Sequence, residues 1–125
     1  MLIVDNEPLM HGIANRVLGK ADLELLNALD GVAAIELLGR QTRAPALVVT
    51  DMQMPRMGGA ELGRWLATTY PGVPVLYVSG FAPDRERPPI PDSQLTRHWL
   101  AKPLAPEQLL QRVTDLCRRP DSPLD

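Results

Sequence analysis

Short apolar runs alternate along this chain with longer segments whose apolar residues recur at helical spacing. The apolar runs lie at residues 1–4, 23–26, 46–50, 75–78 and 98–101. Their short length, and the β-branched residues of the third and fourth runs, are typical of buried strands. Because helical segments separate most of these runs, the pattern predicts parallel strands joined by right-handed crossover connections.

Four segments carry one apolar face at i, i+3 or i+4 spacing, as amphipathic helices do. The residues of these faces are Leu9, Ile13 and Val17, with Met10 and Leu18; Val32, Ile35 and Leu38; Leu62, Trp65, Leu66 and Thr69; and Leu109, Val113, Leu116 and Cys117. The first helix is expected to end near Gly19 and the second at Gly39. Four prolines within residues 83–91 exclude a regular helix there and leave at most a short turn near residues 92–96.

The size and composition fit one α/β domain with helices on both faces of a doubly wound parallel sheet. Of the 125 residues, we expect 1–118 to form the domain and 119–125 to be a tail or linker. The 13 basic and 15 acidic residues give a net charge of −2, which argues against a nucleic-acid-binding surface. A single cysteine excludes an internal disulfide framework. The early charge at Asp5 and the shortness of every apolar run predict a cytoplasmic protein without signal peptide or membrane span.

Polar residues follow four of the predicted strands. They are Asp5-Asn6-Glu7 after the first, Asp51 after the third, Ser79 after the fourth and Lys102 after the fifth. Doubly wound sheets place their functional groups at the carboxyl ends of the strands, so these side chains are expected to converge.

Converging carboxylates repel one another, and a hard divalent cation such as Mg²⁺ relieves that repulsion. A lysine opposite them would neutralise an incoming phosphoryl group, and a serine hydroxyl would donate a hydrogen bond to it. The combination predicts a carboxylate that accepts a phosphoryl group beside a bound metal.

Four stretches at these strand ends resemble the receiver domain of response regulators in two-component systems. They are Ile3-Val4-Asp5-Asn6-Glu7-Pro8, Val48-Val49-Thr50-Asp51-Met52-Gln53-Met54-Pro55-Arg56-Met57-Gly58-Gly59, Val78-Ser79-Gly80 and Lys102-Pro103. The resemblance extends over residues 1–118 and implies a flavodoxin-like (βα)5 fold with strand order 2-1-3-4-5. The Ser79-Gly80-Phe81 form resembles receivers associated with hybrid histidine kinases.

The resemblance implies that Asp51 is the phosphoacceptor, Ser79 the switch hydroxyl and Lys102 the phosphate-binding lysine. It also implies that Trp99 occupies the position of the family's switch aromatic, and that a cis peptide bond precedes Pro103. The implied partners are a histidine kinase or phosphotransfer protein and a downstream protein, with no nucleic acid and no membrane.

The metal site that the resemblance implies holds Mg²⁺ with Asp5, the residue at position 6, Asp51 and the backbone carbonyl of Gln53. Position 6 is normally acidic in the family and is Asn6 here, so we expect weaker Mg²⁺ binding. Glu7 either compensates for the missing charge or is an ordinary acidic residue at the start of a helix.

Three other functions remain open on the sequence. A receiver that lost its chemistry would act as a phosphorylation-independent scaffold. A haloacid-dehalogenase-like phosphatase also uses a strand-end aspartate with Mg²⁺, but it needs an acid where this chain has Gln53. Flavin binding would need a Gly/Ser/Thr-rich loop after the first strand, which is absent.

Several reactive side chains are interpreted as structural. His11 and His98 have no second histidine or cysteine at metal-binding spacing, and Cys117 lies on the apolar face of the last helix. Met52, Met54 and Met57 are expected to fill the core and the adjoining loop.

Overall fold

A computed structural model describes residues 1–19, 25–80 and 88–117 of the chain. In chain order the elements are β1 (Leu2–Val4), α1 (Pro8–Leu18), β2 (Leu26–Ala28), α2 (Gly31–Gly39), β3 (Val48–Asp51), α3 (Gly59–Thr69), β4 (Val75–Ser79), a 3₁₀ turn (Asp92–Gln94), α4 (Leu95–His98), β5 (Trp99–Ala101) and α5 (Pro106–Cys117). The proline-rich segment is thus followed by the short turn that the sequence predicts and by one helical turn, α4.

The described strands form one parallel sheet in the order β2-β1-β3-β4-β5. In register, Leu2 of β1 lies opposite Leu26 on one side and Val48 on the other, and Tyr77 of β4 lies opposite Trp99 of β5. This confirms the flavodoxin-like, doubly wound topology. All strands end on the same edge, so the polar residues that follow β1, β3, β4 and β5 come together there.

Alternating side chains of the strands divide the core into two layers. One layer packs Ile3, Val49 and Val78 under α1 and α5. The other packs Val4 and Val48 under α2 and α3. Because both faces are covered, the strands are buried throughout and tolerate few polar residues except at their carboxyl ends.

The sequence assigned the wrong centre to the apolar face of α1. Leu9 is 72% exposed, whereas Met10, Ala14 and Leu18 are the buried apolar residues of this helix. Packing against the core layer shared with α5 therefore buries a stripe one residue later than the Leu9, Ile13, Val17 series, and this stripe includes Met10 and Leu18. Ile13 and Val17 lie at the border of the buried face.

The second strand also lies later than predicted. The apolar run at 23–26 suggested the strand, but the paired residues are Leu26–Ala28. The sheet hydrogen bonds to β1 set this register, because Leu26 N–H donates to Met1 O and Asp5 N–H donates to Ala28 O. Residues 20–24, Phe81, Arg85, Arg87, the start of the proline cluster and the predicted tail at 119–125 lie outside the described residues.

Within the described residues, no helix is both long enough and apolar enough to cross a membrane.

Candidate functional site

The ammonium of Lys102, which follows β5, contacts three carboxylates at the carboxyl edge of the sheet. Its Nζ lies 3.1 Å from Asp5 Oδ2, 2.9 Å from Glu7 Oε1 and 3.3 Å from Asp51 Oδ2. Asp5 follows β1, Asp51 ends β3 and Glu7 caps α1, so residues almost a hundred positions apart meet here. The structure therefore brings the predicted lysine and both predicted aspartates into one cluster.

Asp51 is a buried carboxylate whose charge is costly without a counter-ion. Its side chain is 7% exposed. Burial raises the pKa of Asp51, and the neighbouring charge of Asp5 raises it further, whereas Lys102 and the Gln53 N–H lower it. The net effect is a pKa above the ordinary value for an aspartate. A cation bound beside Asp51 would offset the cost of burying its charge.

Lys102 remains charged in this cluster. Burial lowers the pKa of Lys102, but the hydrogen bond to Glu7 and the charges of Asp5 and Asp51 outweigh it and hold the pKa above its usual value. The side chain is 21% exposed, so the ammonium sits at the mouth of the site. A fixed point charge in that position suits an approaching phosphate oxygen.

Carboxylate oxygens of Asp5, Glu7 and Asp51 all lie within 4.8 Å of one another. Oxygen donors in a compact group are the ligands that Mg²⁺ prefers, so the residues present fit this ion. Asn6 is exposed, and its neighbour Glu7 supplies the third carboxylate of the cluster.

Glu7 occupies the N-cap position of α1, but its side chain makes no capping hydrogen bond. Its carboxylate is 59% exposed and contacts Lys102 instead. The chain between β1 and α1 is held by a backbone hydrogen bond, in which Glu7 N–H donates to Asp5 Oδ1 at 2.8 Å. Of the two interpretations that the sequence left open for Glu7, the geometry favours a contribution to the acidic cluster.

Gln53 contacts the site through its backbone. Its N–H donates to Asp51 Oδ1 at 3.3 Å, while its side chain is exposed. This hydrogen bond orients the carboxylate so that the other oxygen, Oδ2, contacts Lys102. The loop after β3 therefore helps to hold Asp51 in place.

Ser79 and Trp99 lie on one face of neighbouring strands. Ser79 is fully buried at the end of β4, and its carbonyl accepts a hydrogen bond of 2.8 Å from Lys102 N–H. Trp99 is partly buried opposite Tyr77, which precedes Ser79 by two residues and therefore points to the same side. The Lys102–Pro103 peptide bond is cis, as the resemblance implies.

The sequence missed two contacts that fasten the loops around the site. His11 joins neighbouring strands, because its Nδ1 lies 2.7 Å from Asn27 Oδ1 and its Nε2 lies 2.7 Å from the Asp5 carbonyl oxygen. Arg56 pairs with Asp30, with Nε 2.7 Å from Oδ2 and Nη2 3.0 Å from Oδ1. Nothing in the local sequence pattern signals pairs of residues 16 and 26 positions apart.

The residues interpreted as structural have the expected surroundings. His11 is buried, and His98 Nδ1 lies 2.7 Å from the Val75 carbonyl oxygen. Cys117 packs against the core layer under α1 and α5, and burial raises the pKa of its thiol. Met52 is buried, and Met54 and Met57 pack against the other layer.

The sequence matches the family model of the response regulator receiver domain over residues 1–114. The chain belongs to this family. It is a receiver domain of the kind found in two-component response regulators, a family whose members are phosphorylatable. Receiver domains bind Mg²⁺, which agrees with the acidic cluster described above. They also interact with histidine kinases. The phosphatase alternative is not favoured.

Curated relatives include response regulators and the receivers of sensor kinases. The response regulator MprA of Mycobacterium sp. (strain KMS) is 33% identical over 129 residues, covering 98% of this chain and 55% of the relative. Sensor kinase CckA of Brucella abortus is 29% identical over 97% of this chain and 13% of the kinase. Hybrid signal transduction histidine kinase D of Dictyostelium discoideum is 32% identical over 93% of this receiver and 7% of the kinase. The receiver thus spans about half the length of the MprA relatives.

Solved structures show the same fold. A response regulator receiver domain protein from Clostridium thermocellum superposes with a TM-score of 0.79 at 19% identity, covering 96% of this receiver and 94% of that chain. A two component transcriptional regulator AraC from Clostridium phytofermentans superposes with a TM-score of 0.76 at 29% identity, covering 94% and 90%.

Proposed function

We propose that this receiver accepts a phosphoryl group on Asp51 from a phosphohistidine of a histidine kinase or phosphotransfer protein. The observation that carries the proposal is the contact of Lys102 with Asp51, Asp5 and Glu7 at the open edge of the sheet. In this arrangement one buried carboxylate faces both a fixed cation and a group of oxygen ligands. The protein's role is that of a switch whose only chemistry is self-catalysed gain and loss of the phosphoryl group.

In the proposed step an Asp51 oxygen attacks the phosphorus atom of the donor phosphohistidine. The phosphorus–nitrogen bond breaks, the imidazole leaves with the electron pair, and an acyl phosphate forms on Asp51. Lys102 moves from the carboxylate to a phosphate oxygen and neutralises its charge. When bound, Mg²⁺ supplies further charge neutralisation for the phosphate oxygens.

We assign Mg²⁺ to Asp5, Asp51 and the backbone carbonyl of Gln53, with Asn6 as a ligand that carries no charge. Glu7 restores the missing negative charge, because its carboxylate lies within 4.8 Å of the other two. The charge of the cluster then matches that of a pocket with an aspartate at position 6. This supports an active receiver over a scaffold that has lost its chemistry.

We place the phosphohistidine donor on an apolar groove beside the site. The groove has a volume of about 380 Å³ and is lined by Leu9, Met10, Ile13, Pro103 and Leu104, with Glu7 and Lys102 at its polar end. Leu9 is 72% exposed and lies beside Pro103 and Leu104 in this groove, so together they offer an apolar surface to a partner. A protein that brings its imidazole to Asp51 must cover the neighbouring surface.

The output of the switch runs, in this proposal, through Ser79 and Trp99. A phosphoryl group on Asp51 would draw the Ser79 hydroxyl towards it through a charge-assisted hydrogen bond. The volume vacated behind Ser79 is on the face of the sheet that carries Tyr77 and Trp99. A downstream protein, not a nucleic acid or membrane, would recognise the surface around Trp99 and α5 after this change. We place this recognition in the cytoplasm. We further assign residues 1–118 to the receiver and 119–125 to a tail or linker.

The test is to incubate the protein with acetyl phosphate and Mg²⁺ and to determine the intact mass. We expect one phosphoryl group on the wild type and on Asp115→Asn, a control variant at an exposed aspartate of α5, and none on Asp51→Asn. An adduct that persists on Asp51→Asn would overturn the assignment. A wild type that takes no phosphoryl group would favour the scaffold.

The donor groove has its own test. We expect Leu9→Ser to slow transfer from a phosphorylated histidine phosphotransfer protein while leaving the rate with acetyl phosphate unchanged, because the small donor needs no surface. Leu29→Ser is the matched control, since Leu29 is also exposed, at 58%, but does not line the groove. Equal rates from the protein donor in both variants would place the donor elsewhere.

A further inference from the structure

Arg56 lies at the centre of a strained turn in the β3–α3 loop. Its φ is +66°, and among the described residues it is the one non-glycine with a positive φ. Met57 N–H donates to the Pro55 carbonyl oxygen at 2.7 Å, which closes a three-residue turn around Arg56. A γ-turn with positive φ at its centre is the rarer and more strained of the two forms. A long side chain such as arginine does nothing locally to relieve that strain, so a contact outside the turn must hold it.

That contact is the two-pronged ion pair with Asp30. Both carboxylate oxygens of Asp30 accept from the guanidinium, at 2.7 and 3.0 Å. Asp30 is itself fixed, because it caps α2 through a 2.9 Å hydrogen bond from Ala33 N–H and its side chain is 8% exposed. Beside this pair Gly31 N–H donates to the Met57 carbonyl oxygen at 3.2 Å. The tip of the loop is therefore fastened to the start of α2.

The absence of a side chain at Gly31 also allows the β3–α3 loop to lie close to α2. A Cβ atom at this position would lie 2.6 Å from Met57 Cγ, so the absence of a side chain lets the loop approach α2 closely. The base of the same loop is closed by Gly59 N–H, which donates to the Met52 carbonyl oxygen at 3.0 Å. The loop is thus held at its base and at its tip, and Gln53 lies between these two points.

We propose that Arg56 is a positioning residue, whose pair with Asp30 holds the β3–α3 loop so that the Gln53 backbone orients Asp51 for phosphoryl transfer. The inference rests on the proposed function, because it assigns Arg56 to the reaction at Asp51. The connection is the Gln53 N–H, which donates to Asp51 Oδ1 at 3.3 Å. If the tip were released, Gln53 would no longer be fixed and both the carboxylate and the loop backbone at the cation site would vary in position.

The alternative is that Arg56 and Asp30 form a surface ion pair that does not affect phosphorylation at Asp51, since Arg56 is 57% exposed. Two features argue against it. The pair is two-pronged, and its acidic partner is buried and is held in place as the N-cap of α2, which gives the pair a defined geometry. It also sustains a backbone conformation that glycine would adopt without strain, so an arginine here costs stability unless its side chain is used.

The experiment compares Arg56→Gly, which removes the pair and also the backbone strain, with Asp30→Asn, which keeps an oxygen for the α2 cap but loses the charge. Arg56→Lys keeps the charge and loses the two-pronged geometry. The control is Arg43→Gly, at an exposed arginine in the segment between α2 and β3. For each variant we would measure the rate of phosphorylation by acetyl phosphate, the apparent Mg²⁺ affinity and the urea midpoint.

We expect Arg56→Gly and Asp30→Asn each to slow phosphorylation roughly tenfold and to weaken Mg²⁺ binding, as small misplacements of reacting groups do. The double variant should be no slower than either single variant, and Arg43→Gly should match the wild type. The urea midpoint of Arg56→Gly should stay close to that of the wild type, because relief of strain offsets loss of the pair.

The outcomes separate the two hypotheses. If the wild type takes no phosphoryl group, the proposed function fails and the role of Arg56 fails with it. If the wild type is phosphorylated and both single variants react at its rate, the positioning role alone is overturned. Slowing that simply follows the urea midpoint across the variants, including Arg56→Lys, would also overturn it.

Discussion

The Lys102 ammonium contacts the Asp51 carboxylate at 3.3 Å, although β4 lies between the strands that carry the two residues. The lysine side chain reaches back over the end of β4, and its backbone N–H is bonded to Ser79 at that end. The contact depends on the order of the strands and on their register, which brings the carboxyl ends of β3, β4 and β5 to the same edge of the sheet. Lys102 thus occupies the position where an incoming phosphate needs a positive charge.

Replacing Lys102 should make the pocket a better site for a free cation. The ammonium repels Mg²⁺ from the same carboxylates, and two unit charges about 4 Å apart near a protein surface interact with about 4 kcal/mol before screening. After screening we expect Lys102→Ala to bind Mg²⁺ about tenfold more tightly, or about 1.4 kcal/mol, but to be phosphorylated much more slowly. Tryptophan fluorescence during Mg²⁺ titration measures the affinity. Lys102→Arg keeps the charge and should bind as the wild type does; tighter binding by both variants would contradict the explanation.

The charge of Glu7 should be measurable in the Mg²⁺ affinity. We expect Glu7→Gln to weaken binding several-fold and Asn6→Asp to strengthen it by a similar factor, because each changes the cluster by one negative charge. Combined in one protein, the two changes should restore an affinity near that of the wild type. Glu61→Gln, at an exposed acid in the first turn of α3, is the control. An unchanged affinity in Glu7→Gln would show that Glu7 serves Lys102 alone.

The Asp30–Arg56 pair should make stability depend on pH in the acid range. The hydrogen bonds from Arg56 and from Ala33 N–H hold the pKa of Asp30 below its ordinary value of 3.8. For a carboxylate with a lowered pKa, the stabilisation is complete above the ordinary pKa and is lost as the pH falls through the lower folded value. The stability advantage of the wild type over Asp30→Asn should therefore be constant from pH 7 to pH 5 and shrink below about pH 4. Urea unfolding at each pH tests this, and an advantage that grows on acidification would contradict it.

Gly63 of α3 makes room for the buried hydroxyl of Tyr77. A Cβ at Gly63 would overlap that oxygen, and burial raises the pKa of Tyr77 to about 12. We expect Gly63→Ala to lower the free energy of unfolding by about 1–3 kcal/mol, as overpacking does, and Tyr77→Phe in the same protein to recover part of the loss. The matched control is Gly12→Ala in α1, where a Cβ meets nothing within 4 Å and should stabilise by about 0.4–1 kcal/mol. Equal effects at the two glycines would rule out the steric explanation.

Trp99 should report the proposed switch. In a Trp65→Phe background Trp99 is the single indole of the chain. We expect beryllofluoride with Mg²⁺ to shift its emission and to lower its access to a soluble quencher, because the ring would move into the volume that Ser79 vacates. The Asp51→Asn variant should show neither change. If beryllofluoride binds at Asp51 and the Trp99 signal stays constant, the aromatic is a packing residue and the signal leaves by another route.

The sequence alone determined the alternation of strands and helices and the edge of the sheet at which the predicted site residues meet. Apolar runs of four or five residues separated by amphipathic segments define a parallel α/β sheet, because burial on both faces requires that pattern. Strand ends in such a sheet meet at one edge, so Asp5, Asp51, Ser79 and Lys102 could be grouped before any coordinates were known.

Only the tertiary structure decided which face of α1 is buried, where Glu7 points and how the loops are fastened. The hydrophobic periodicity of α1 fits two faces that are one residue apart, and packing against the core layer buries the face with Met10 and leaves Leu9 exposed. The bond from Glu7 N–H to Asp5 turned the Glu7 carboxylate towards Lys102. The pairs His11–Asn27 and Arg56–Asp30 join different βα units, and such contacts depend on distances across the fold that no local pattern encodes. Hydrophobic periodicity can be read from neighbouring residues, because it depends only on which face of an element is buried. A hydrogen bond between residues far apart in the sequence depends on how the whole chain folds.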